Sequence, residues 1–142
     1  MSAEDVPQRD SLERKLLAVA FALTLFLGSS LVFLVQPLYG KLVLPFLGGT
    51  PAAWNGCMVF FQVGLLAGYA YAHLVNRSLT PPRAAMLHLV LLGITALALP
   101  IAIAPGWGIP PSEGTALWLF GLFAASIGLP FFTLSASAPL LQ

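Results

Sequence analysis

Charges in this chain sit at its N-terminus and in its turns, and four long apolar stretches lie between them. Residues 16–39 carry no charge and are long enough to cross a bilayer, which takes roughly 20 apolar residues as helix. The pattern predicts further membrane helices over 52–76, 84–104 and 114–134. Proline and glycine punctuate the joins. Pro51 falls where a helix tolerates proline, in its first turn. In RSLTPPR (77–83), Pro81-Pro82 stops one helix before the next begins. PGWGIPPSE (105–113) reads as a turn-rich loop carrying Trp107 at interface depth, and Pro130 predicts a kink in the last span. Pro37 is expected at the far end of the first span, where a lost backbone donor costs least. Residues 1–15 form a polar tail expected to become helical as it nears the membrane, ahead of a four-span domain over 16–142. The apolar run after Arg14-Lys15 outlasts the roughly 7–15 residues of a signal peptide and lacks a small-x-small cleavage site, so it reads as a span. TLSASAPLLQ at the C-terminal end is apolar to its last residues, the pattern of a chain that continues.

Composition turns this pattern into a fold class. With 58% hydrophobic residues, 8% charged and a mean hydropathy of +0.91, the chain could not cover a water-facing surface, which takes roughly 25% charged residues. The expected fold is all-α, an integral membrane four-helix bundle of two helical hairpins. Its 142 residues hold about four spans and leave no room for a soluble catalytic domain of roughly 100 residues. Arg9, Arg14, Lys15, Arg77 and Arg83 fall on one side of these spans and only Lys41 on the other, which predicts both termini in the cytoplasm. A net charge of +1 without a basic, aromatic-rich cluster points away from nucleic acid, and a lone cysteine, Cys57, excludes an internal disulfide.

Polar residues inside the spans are the candidate chemistry. Asn55, Gln62, Tyr69 and Asn76 recur every seven residues and His73 follows Tyr69 by four. A seven-residue step drifts only about 20° around a helix, so all five share a stripe roughly 60° wide. Gly64 and Gly68 lie across the helix as a G-x-x-x-G pair that permits close helix contact. Polar groups facing lipid tails would each cost several kcal/mol, about 2–7. The stripe is therefore expected to face protein or a water-filled cavity. Ser29 with Gln36, His88 with Thr95, and Ser126 with Thr133 and Ser137 repeat the theme sparsely. For the serines and threonines, interhelical hydrogen bonding is the favoured reading over a polar path; for Asn55 and Gln62 both readings stay open. Lys41 either snorkels to the interface or turns back toward the Gln36 and Asn55 amides.

The same residues exclude several activities. Beyond the N-terminal tail the only acid is Glu113, so paired-carboxylate catalysis and an intramembrane proton-coupling acid are both missing. No phosphate-binding glycine loop opens a helix. His73 and His88 flank one short turn without any other metal-ligating group. The expectation is no catalytic residue, no metal and no cofactor.

The run from Val35 to Leu74, VQPLYGKLVLPFLGGTPAAWNGCMVFFQVGLLAGYAYAHL, resembles a known family. It is similar to the N-terminal membrane region of bacterial spermidine synthase-like membrane proteins, also described as fused major-facilitator and spermidine-synthase proteins. The matching pieces are Gln36-Pro37, Gly40-Lys41, Leu44-Pro45, Leu47-Gly48-Gly49, Pro51, Trp54-Asn55, Phe60-Phe61-Gln62 and Gly68-Tyr69-Ala70-Tyr71-Ala72-His73. The resemblance implies a membrane region similar to part of a major-facilitator-like fold, in a bacterial inner membrane. It also implies a transporter-like role related to polyamines, with Gln36, Lys41, Asn55, Gln62, Tyr69 and His73 as candidate binding residues. The glycine-rich nucleotide site and aspartates of the family's aminopropyltransferase-like domain have no counterpart in these residues. That makes a soluble synthase-like domain, or a larger membrane complex, the expected protein partner beside the lipid bilayer. The alternative is a small structural or accessory subunit.

Overall fold

A computed structural model describes residues 5–107 and 109–142, and every regular element among them is helical. The first four residues of the expected tail, and Gly108 in the loop before the last span, lie outside the described residues. Helix α1 runs Asp5–Val43, α2 Pro51–Ser78 and α3 Pro81–Ala96. The last helix consists of α4 (Thr115–Phe123) and α5 (Leu129–Leu140), joined without a break by a π-helical turn, Ala124–Gly128. Three helices are long and apolar enough to cross a membrane: those spanning Ser11–Leu47, Pro51–Ser78 and Thr115–Leu140.

Local sequence explains most of the boundaries. Helix α1 continues through Pro37 to Val43, so this proline sits inside the helix rather than at its end. A 3₁₀ turn, Leu44–Leu47, then carries the chain into Gly48 and Gly49, whose φ angles of 70° and 64° favour glycine because it lacks a Cβ. The Thr50 hydroxyl accepts from Ala53 N–H at 3.2 Å, and Pro51 occupies the first turn of α2. Helix α3 is shorter than the stretch expected to form it. At 16 residues it reaches only about 24 Å, against a hydrocarbon core of roughly 30 Å. Pro100 disfavours helix at the residue before it and has no N–H of its own, so the helix ends at Ala96 and 97–104 are irregular. The kink expected at Pro130 takes the form of the π turn. Proline at 130 cannot donate to the Ser126 carbonyl, and its ring crowds that oxygen, so the preceding register widens.

The last helix is the hub. Helices α1, α2 and α3 each pack on α5, whereas α1 barely meets α2. Phe61, Phe123 and Phe131 form the aromatic centre, with Phe61 and Phe131 centroids 4.9 Å apart and Tyr39 edge-on to Phe123 at 4.9 Å. Glycines bring α2 close. A Cβ on Gly64 would lie 2.8 Å from Phe131, and one on Gly68 would lie 3.0 Å from the Ala136 backbone nitrogen. These two residues therefore sit at the α2–α5 contact.

Candidate functional site

Because α1 stands away from α2, a crevice opens between them, floored by α5. Its volume is about 440 Å³. Ser29 and Gln36 reach it from α1, Gln62 and Tyr69 from α2, and Ser135 from α5; Val32, Phe33, Met58 and Leu65 supply the apolar wall. On both helices the polar pair is spaced by seven residues, which places its members on one face in successive turns. Ser135 gives its proton to backbone carbonyls, Phe132 O at 2.8 Å and Gly64 O at 3.3 Å, so it ties the floor to α2. The side chains of Gln36, Gln62 and Tyr69 make no hydrogen bond to any described residue.

Three of the six candidate binding residues thus come together, and three do not. Asn55 and His73 are exposed and lie outside the crevice, as does Lys41 in the last turn of α1. The stripe is not turned into the four-helix body; the buried side of α2 is the one carrying Cys57, Phe61, Gly68, Ala72 and Val75. The amide face stands about 120° from it around the helix, open on one flank. No set of three or more His, Cys, Asp or Glu among the described residues could hold a metal ion, and His73 is exposed while His88 is buried.

The other polar residues have a different fate. His88 Nε2 lies 3.0 Å from Ser137 Oγ, Thr95 Oγ1 lies 2.9 Å from Thr133 Oγ1, and Ala104 N–H donates to Ser126 Oγ at 2.9 Å. Ser137 and Thr133 spend their own protons on carbonyls one turn back, Thr133 O and Leu129 O. Each must then accept from across the interface, which gives His88 a proton on Nε2 and makes Thr95 the donor. The third segment donates at every step and the last helix accepts. Interhelical bonding was the favoured reading for these serines and threonines, but the seven-residue spacings did not say which residue meets which. Ser135 was missed. Its signal was the small-residue run SASA (135–138) opposite Gly64 and Gly68, which any close helix approach requires.

No family model, no curated protein and no solved structure matches this chain.

Proposed function

We propose that this chain is a transporter-like membrane module, related to the membrane region of spermidine synthase-like proteins and working with a protein partner. The supporting observation is the crevice between α1 and α2, where the Gln36 and Gln62 amides and the Tyr69 hydroxyl lack hydrogen-bond partners at membrane depth. Neutral amides and a phenol suit a polar or cationic guest shedding its water, such as a polyamine, without trapping it as a carboxylate would. The module sits in a bacterial inner membrane with both termini cytoplasmic, an orientation supported by the bias of Arg14, Lys15, Arg77 and Arg83 against Lys41. Uptake of labelled putrescine or spermidine into vesicles carrying the full chain tests the reading. Gln62→Leu and Gln36→Leu are expected to lower uptake at least tenfold, and wild-type uptake by both variants would sink it.

A second reading, an accessory subunit of a larger membrane complex, draws on Asn55 and His73. Both are exposed outside the crevice and need cover that these four helices do not supply. Co-migration with a larger assembly in mild detergent, together with uptake indifferent to Gln62→Leu, would favour it.

A further inference from the structure

We infer that the pocket between α1 and α3 holds an acyl chain of an anionic phospholipid, with the phosphate of its headgroup taken by Arg77 and Arg83. Helices α1 and α3 each pack on α5 rather than on one another, and a pocket of about 700 Å³ is left between them. Ala85, Leu89 and Leu92 follow one another on a single face of α3 and form its apolar wall, with Thr24 reaching it from α1. From Pro81 at its mouth to Leu92 this wall is about 16 Å long, close to half of the roughly 30 Å hydrocarbon core. The pocket is therefore one leaflet deep. Its inner polar atoms are already spent. Thr24 donates to the Ala20 carbonyl at 2.8 Å, Ser137 to the Thr133 carbonyl at 3.0 Å, and His88 Nε2 lies 3.0 Å from Ser137 Oγ. His88 Nδ1 is covered by protein, out of a guest's reach. The α1–α2 crevice offers unpaired amides to a polar guest; this pocket offers none at depth, and hydrocarbon enters it without stranding a polar group. Polarity returns at the mouth. The turn RSLTPPR (77–83) is flanked by Asn76 and Ala84, which both line the pocket, and it carries two arginines and no acid. Both arginines are exposed and make no hydrogen bond or ion pair with any described residue. A guanidinium presents paired N–H donors that match phosphate oxygens, and basic pockets between membrane helices draw anionic headgroups. Charge at the mouth and an apolar shaft behind it select a phospholipid over a free anion or an uncharged chain.

The inference stands apart from the uptake reading, because no residue of this pocket lines the α1–α2 crevice. Native mass spectrometry of the full chain tests it, in mild detergent supplied with equal amounts of phosphatidylglycerol and phosphatidylcholine bearing the same acyl chains. One phosphatidylglycerol is expected to stay bound, at least fivefold more often than phosphatidylcholine. In the double variant Arg77→Gln/Arg83→Gln that preference should disappear. Ala85→Trp fills the pocket and should cut retention of both lipids at least fivefold, whereas Met86→Trp, exposed but outside the pocket, should leave retention unchanged. Soluble glycerol phosphate in large excess should displace almost no lipid. Displacement by it would reveal a free-anion site at the turn and remove the acyl chain. Equal retention of the two lipids by the wild-type chain, or retention indifferent to Ala85→Trp, would overturn the inference. Arg77 and Arg83 are exposed, so their variant reads the headgroup even if Ala85→Trp unseats α3, and a preference that survives it removes the phosphate contact.

Discussion

The interface of the last helix with the third segment and the crevice beside α1 hold similar numbers of polar side chains, yet they treat them in opposite ways. Along the first, each rung sets a donor against an acceptor, His88 Nε2 to Ser137, Thr95 to Thr133 and Ala104 N–H to Ser126, and only His88 Nδ1 stays buried without a partner there. Along the second, Gln36, Gln62 and Tyr69 line a crevice of about 440 Å³ without a hydrogen bond to any described residue. Hydroxyls on short side chains can return their proton to their own helix and still accept from a neighbour. Glutamine cannot close on itself so easily; it carries two donors and an acceptor on a long arm. Polar residues in membrane helices therefore divide into those that finish a fold and those left over for something outside it.

Unfolding of the chain in mixed micelles would separate the two groups. Gly68→Leu is expected to lose the most, about 3 kcal/mol, because the Ala136 backbone 3.0 Å from a Cβ at that position has nowhere to go. A loss no greater than that of a surface substitution would mean that α2 does not pack as described. Ser126→Ala strips the Ala104 N–H of its acceptor, and an unpaired donor at this depth should lower stability by about 2 kcal/mol. Faster amide exchange at Ala104 would accompany it. For Thr133→Val the loss should be near 0.6 kcal/mol, the average for a single side-chain bond between membrane helices. Gln62→Leu should move the stability of the single chain by less than about 0.5 kcal/mol, since it has no partner to lose. A loss as large as that of Ser126→Ala would erase the distinction between the two regions.

Much of this was legible from the residues. Charge-free length located the long helices, and Pro51 marked the first turn of α2. Pro130 was legible as a kink but not in kind, and the span expected over 84–104 ran past Pro100 without a break there. Proline at 100 ended α3 at Ala96, whereas proline at 130 produced a π turn, because α5 is clamped by three neighbours and the irregular segment after α3 is not. The stripe on α2 was found by period alone. Period fixes which residues share a face, but which neighbour that face meets depends on where α1 docks. Helix α1 docks on α5 rather than over α2, and the heptad could not say so.

The hub has a consequence for how the chain is made. Helix α5, on which α1, α2 and α3 all pack, is the last of them to leave the ribosome. Until Leu129 and the residues after it enter the bilayer, the earlier helices have little to hold but lipid and one another. Assembly of this bundle therefore waits on α5, and a ribosome stalled before that point leaves the earlier helices without a keystone.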